Sequence, residues 1–190
     1  FCPRNVEFLP WSDLARGSKL DRFRTVFQPI EGACHKFNKQ GGTKRWLAFV
    51  FERWFYIENL VAQLGLAQFW TFDSDTMVAA DLALREQRFA AFQATEQCRG
   101  NCLNGLVNDT CVVSGYTDWM LGLFENEAFI QQQRERLRTQ DGLCFNEMDA
   151  WRHYRDNNRV TTTALGDVCE GEMFDDALAI TKGYEVAAVK

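Results

Sequence analysis

The stretch Phe69-Trp70-Thr71-Phe72-Asp73-Ser74-Asp75 decides how the chain is read. Four residues without charge, three of them aromatic, have strand length and strand composition. They stop abruptly at two carboxylates separated by one small residue. In open α/β sheets, ligands sit outside the carboxyl ends of strands. Asp73 and Asp75, one residue apart in a tight turn, can converge on one cation. Their hard oxygens suit Mg²⁺ or Mn²⁺. Taken alone, such a triplet is more often an ordinary acidic turn, or a capping site for the Ala79–Leu84 segment after it.

The flanking sequence sets the frame. Thr43–Leu64 carries apolar residues at three-and-four spacing (Trp46, Phe49, Val50, Trp54, Ile57, Leu60, Val61, Leu64) and predicts a helix. Thr43 is placed to start it and Gly65 to end it. The strand is expected over Ala67–Phe72. Upstream, Val6–Pro10 predicts a short strand, Ser12–Phe27 a helix, and residues 28–43 a loop. Downstream, Leu82–Gln97 predicts a helix, Thr110–Ser114 a strand, and Thr117–Phe129 and Gln131–Thr139 two helices. Cys144–Arg155 predicts another helix and Val160–Leu165 a final strand. Alternating helices and short strands predict an α/β layered domain with a mostly parallel central sheet flanked by helices. With no internal repeat or linker, residues 1–190 are expected to form a single domain.

Bulk composition narrows the function. At 46% hydrophobic and 25% charged, the 190 residues can bury a core of their own. A net charge of −5 with no Lys/Arg stripe argues against nucleic acid. No apolar run reaches the ~20 residues of a membrane helix. The 16 Phe and 6 Trp read first as a bulky core and second as stacking surfaces in a groove. Seven Cys, with no Cys-x-x-Cys pair, argue against zinc and for small buried thiols in a reducing compartment, so the cytoplasm is favoured over a secretory lumen. Asn108-Asp109-Thr110 has the form of a glycosylation acceptor, a triplet common by chance. The first residue is Phe1, for which we expect a processed or partial chain.

Phe51-Glu52-Arg53-Trp54-Phe55-Tyr56-Ile57, followed by Phe69–Asp75, resembles glycosyltransferases of the GT-A fold, in which an Arg-bearing helix precedes a hydrophobic strand ending in Asp-x-Asp. Three later pieces are similar in the same order: Val113–Trp119 looks like the small-residue loop on the acceptor side, Asn146–Trp151 like the acidic segment meeting the acceptor, and Phe174–Asp176 with Gly183-Tyr184 like a late segment. The resemblance spans roughly residues 5–185. It implies a GT-A-like, Rossmann-type domain that moves a sugar from a nucleotide-diphosphate sugar, a UDP-sugar first, to a hydroxyl-bearing glycan or other acceptor. Mn²⁺ or Mg²⁺ would assist. Asp75 would ligate the metal directly. Asp73 would do so through water, or hold the ribose or sugar, with Ser74 keeping the turn tight. Arg53 would face the donor or support the acids, and Gly115 would let the backbone approach a sugar. Glu147 or Asp149 would take the acceptor proton if the reaction inverts. Against this stand simpler roles: Arg53 paired with Glu52 or with a neighbouring helix, Glu147 and Asp149 as a helix-start acid pair, and Gly115 as a turn residue. The chain departs from the pattern where a first, base-binding strand should precede Val6, and in lacking an evident third metal ligand. Two other readings stay open: a haloacid-dehalogenase-type phosphatase with Asp73 as nucleophile, and a carbohydrate- or nucleotide-sugar-binding domain without turnover.

Overall fold

The computed structural model describes residues 6–32, 42–74, 76, 78, 81–140 and 143–167. The late segment at Phe174–Tyr184, and Asp75, lie outside them. Among the described residues four strands form one sheet in the order β1-β3-β2-β4, with β1 at Phe69–Thr71, β2 at Ala94–Gln97, β3 at Cys102–Val107 and β4 at Thr162–Ala164. β3 runs antiparallel to both β1 and β2, whereas β2 and β4 are parallel. The fold is thus mixed α/β, and the expectation of a mostly parallel sheet is corrected. The reason is the short turn after Gln97, which returns the chain directly alongside β2 instead of through a helical crossover.

The described residues also form six α-helices: α1 Trp11–Leu14, α2 Ser18–Val26, α3 Gly42–Leu64, α4 Cys111–Glu125, α5 Glu127–Leu137 and α6 Glu147–Asn158. A 3₁₀ helix covers Ala83–Phe89. The long central helix falls where its periodicity put it, and Gly65 ends it with a left-handed φ of 62°. Its buried stripe is Leu47, Val50, Phe51, Trp54 and Phe55, whereas Trp46 and Phe49 are exposed. Each buried side chain on this stripe contributes roughly 1.5–3 kcal/mol by leaving water.

Many of the phenylalanines gather in one cluster. Phe23 lies 4.8 Å from Phe55, and Phe124 lies 5.0 Å from Phe27 and 5.1 Å from Phe51, ring centroid to centroid. Phe129 and Phe145 extend it at 5.5 Å. These rings join α2, α3, α4 and α5 into a core that takes in Leu103 and Val107 of β3. The opposite face of the sheet carries a smaller cluster of Phe89, Leu106 and Leu165, backed by Trp70 and Phe72. The aromatics around the strand therefore split between core and sheet cover.

Three expectations of local structure are overturned. Val6–Pro10 is exposed and forms no strand among the described residues, its apolar side chains staying in solvent. Leu82–Gln97 is a 3₁₀ helix followed by β2, not one helix, because Thr95 and Glu96 are spent on the sheet. Thr110–Ser114 starts α4, and Val112 and Val113 fill the core from it. At that start Asp109 accepts the Cys111 amide at 3.0 Å and the Gln93 side-chain amide at 3.0 Å. The Gln93 bond, ahead of the Cys111 bond, holds this carboxyl below its usual range. The Asn108 side chain donates to the Phe89 and Phe92 carbonyls at 2.8 and 2.9 Å, so the nitrogen a glycan would need is engaged.

The β2–β3 pairing carries a bulge between Ala94 and Glu96, opposite Gly105. Thr95, fully buried, repairs it: its hydroxyl accepts the Leu106 amide at 2.7 Å and reaches the Asn104 carbonyl at 3.2 Å. The next residue, Glu96, is buried with full satisfaction. Its carboxylate accepts from Trp151 Nε1 at 2.5 Å, Arg155 at 2.7 Å and the Thr162 hydroxyl at 2.8 Å. It therefore ties α6 and β4 to β2. Replacing Glu96 with alanine would strand a partly buried guanidinium and an indole N–H. The expected loss is about 2–3 kcal/mol, below the upper range for such pairs because the Arg155 side chain remains 23% exposed. Chemical denaturation of Glu96→Ala beside Glu96→Gln checks this, the glutamine retaining one acceptor and losing less.

Candidate functional site

Asp73 stands two residues beyond the end of β1, and its carbonyl closes a turn by accepting the Thr76 amide at 3.0 Å. Ser74 is exposed in that turn. Arg53 reaches the turn from the middle of α3. Its Nη1 pairs with Asp73 Oδ1, and its Nη2 contacts Glu147 Oε1 at 3.4 Å. Arg53 is thus not paired with Glu52, which bonds Arg24 at 2.7 Å and the Tyr56 hydroxyl at 2.5 Å instead. One cation therefore joins two carboxylates that lie far apart in the chain.

Glu147 is the first residue of α6, buried at 9% exposure. Its backbone carbonyl accepts the hydroxyl of Tyr116, itself fully buried, at 2.6 Å, which fixes the start of α6 against α4. Burial pushes the Glu147 carboxyl up from its ordinary value; the Arg53 charge opposes this, and the Asp73 and Asp149 charges add to it. Glu147 Oε2 and Arg53 Nε have no hydrogen-bond partner among the described residues. An unpartnered buried carboxylate oxygen is costly.

This weakened acidity has a signed consequence. The native state binds the Glu147 proton more tightly than the unfolded chain does. The stabilisation is therefore present below the ordinary value of 4.5 and is lost as pH rises through the higher native value. Relative to Glu147→Gln, the wild-type melting temperature is expected to rise as pH falls from neutrality toward that value. Paired thermal melts across this range check it, and a pH-independent difference would contradict it.

Asp149 does something else. Asn146 accepts the amides of Met148 and Asp149 at 3.0 and 3.1 Å, and Asp149 Oδ2 accepts the Asn146 amide at 3.4 Å. This capping box closes the helix start. Asp149 Oδ1 is held by Arg152 at 2.5 Å. The two acids of the segment are thereby separated, Glu147 facing Arg53 and Asp149 serving the cap. Gly115 is corrected more sharply. It lies within α4, not in a loop, and a Cβ there would stand 2.3 Å from the Tyr154 hydroxyl. Its role is close helix packing, and no ligand-facing backbone is offered at this position.

A cleft of 520 Å³ is lined by Cys98, Asn101, Cys144, Asn146, Met148 and Asp149 among others; Asn146 and Met148 flank Glu147 in sequence, but Asp73, Arg53 and Glu147 are not among the lining residues. The Cys98 thiol reaches Cys102. Burial, then the Cys98 contact, pushes the Cys102 thiol up, with smaller contributions from the charges of Glu147 and Asp73. Cys144 is likewise raised, to about 11, by burial and then by the Asp149 charge. The sequence reading of small buried thiols holds for Cys102 but not for the exposed Cys98, and it takes Tyr116 only as part of a loop at Val113–Trp119. The spacing of Cys98 and Cys102 was the available signal.

Among the described residues, no group of three or more His, Cys, Asp or Glu side chains is placed to hold a metal ion. The donors present at the end of β1 are carboxylate oxygens, the class Mg²⁺ and Mn²⁺ take one or two at a time beside substrate phosphate. No helix among the described residues is long and apolar enough to cross a membrane. No family model, curated protein or solved structure matches the chain.

Proposed function

We propose that this chain is a metal-dependent glycosyltransferase domain of GT-A type, moving a sugar from a nucleotide-diphosphate donor to a hydroxyl acceptor. The observation that carries the reading is the Arg53 bridge. It brings Asp73 and Glu147, drawn from two separate segments of the resemblance, to one place beyond the end of a strand. Asp73, with Asp75, would hold Mn²⁺ or Mg²⁺, which supplies charge neutralisation to the departing diphosphate. Arg53 orients Asp73 and opposes the effect of burial on Glu147. Glu147, with one oxygen unengaged among the described residues and its acidity weakened by burial, would accept the proton of an acceptor hydroxyl. Asp149 fixes the helix start that carries Glu147.

The test is a panel of nucleotide-diphosphate sugars with and without Mn²⁺, following binding, nucleotide release and sugar transfer. Metal-dependent binding with release and transfer is expected. Metal-dependent binding without release would replace this reading with a binding domain. An aspartyl phosphate trapped on Asp73 would replace it with a phosphatase.

A further inference from the structure

The turn between β2 and β3 brings two thiols together on the rim of the cleft. Gln97 and Cys102 are direct partners in the antiparallel register, so Cys98 follows at the point where the chain reverses. The turn is tightly held: Gly100 and Asn101 amides both donate to the Gln97 carbonyl at 3.1 Å, and the Asn101 side chain donates to the Cys98 carbonyl at 2.6 Å. Cys98, Arg99 and Gly100 all take left-handed backbone, with φ of 54°, 59° and 80°. For the two residues with a Cβ this conformation is uncommon and must be imposed by the surroundings. Cys98 is exposed and lines the cleft, whereas Cys102 is 7% exposed beneath it.

We propose that Cys98 and Cys102 form a thiol–disulfide exchange site, with Cys98 as the attacking and Cys102 as the resolving residue. The co-reactant is a small-molecule disulfide such as oxidised glutathione. The Cys98 thiolate attacks one sulfur of that reagent, its S–S bond breaks, and one glutathione leaves as a thiol with the proton Cys98 gave up. The Cys102 sulfur then attacks Cys98 Sγ and displaces the second glutathione, which takes the Cys102 proton. One reagent disulfide is reduced to two thiols while two protein thiols are oxidised to one disulfide. The accessible sulfur meets the reagent and the buried one waits in contact with it, the order that exposure dictates. The bond closes the β2–β3 turn and fixes the cleft wall. Cys144, which also lines the cleft from its bridge to Glu31, is the competing partner.

The sequence makes the test direct, because Arg99 lies between the two cysteines. Trypsin cuts there and yields Phe89–Arg99, with Cys98, and Gly100–Arg134, with Cys102 and Cys111. After incubation of the full chain with oxidised glutathione and alkylation, these peptides are expected to be joined, two hydrogens lighter than their sum. The link should vanish in Cys102→Ala and in Cys98→Ser and persist in Cys111→Ser. Reductant should release it. A stable glutathione adduct on Cys98 with no linked peptide, or a link from Cys98 to Cys144 or another cysteine, would overturn the proposal.

Discussion

Gly105→Ala is expected to lose roughly 2–6 kcal/mol of folding stability, summing overpacking and left-handed strain, or to prevent accumulation of folded protein. A Cβ at this position would stand 2.2 Å from the Thr95 hydroxyl oxygen and 2.6 Å from Leu165 Cδ1, with φ at 102°. The Thr95 hydroxyl cannot move aside without cost, because at the bulge it takes the place of a ladder carbonyl and satisfies the buried Leu106 amide. Leu165 is equally confined, being 1% exposed in the small cluster that covers the sheet. Gly122→Ala, in α4, provides the control. Nothing lies within 4 Å of its added Cβ, so helix propensity should make it neutral or stabilising by up to about 1 kcal/mol. Melting temperatures of both variants decide the matter, and a Gly105→Ala protein as stable as Gly122→Ala would refute the bulge description.

The second large effect concerns activity. Asp73→Ala is expected to lower transfer by about 100-fold or more, the scale of removing a group that stabilises charge in a transition state. The fold should survive, since the Asp73 side chain is 41% exposed and its pair with Arg53 belongs to the weak, solvated kind worth less than about 1 kcal/mol. Asp73→Asn separates charge from shape and should be nearly as impaired. Near-normal turnover by Asp73→Ala at saturating Mn²⁺, with an unchanged melting temperature, would defeat the glycosyltransferase reading. The Cys98–Cys102 chemistry would be untouched by that outcome.

Helix α3 was legible because its apolar residues recur every three or four positions over six turns. Its phase was not, because residues 46–57 are apolar on nearly every side. A stripe through Trp46 and Phe49 and one through Leu47 and Phe51 fit the pattern equally, and the packing of α2 and α4 chose the second. β3 was illegible for a different reason. Asn104 and Gly105 are poor strand formers, and the strand exists because β1 and β2 pair with it on both sides and Thr95 mends its irregularity. Ala94–Gln97 has helical composition but is captured by the same pairing.

The candidate site divides similarly. Its residue types stood out in the one-dimensional pattern, through the acids after an aromatic strand and the Asn146–Trp151 segment. The pairing did not, since Arg53 choosing Asp73 and Glu147 over Glu52 depends on where α3 passes the end of β1. Nor could the sequence tell Glu147 from Asp149, as both lie in one helical turn. The distinction arises because the capping box binds the third residue of α6 and leaves the first facing Arg53.

The parallel β4 has a consequence for the order of assembly. β2 and β3 are joined by a short turn and can pair early, whereas β4 docks at the sheet edge with Thr162 beside Ala94, after α4, α5 and α6 have been threaded between. Bringing such distant segments together costs chain entropy before any ladder bond rewards it, so this edge is slow to form. Until it does, Glu96 lacks the Thr162 hydroxyl, one of its three side-chain partners. The carboxylate that joins three elements in the finished molecule is thus expected to complete its bonds last.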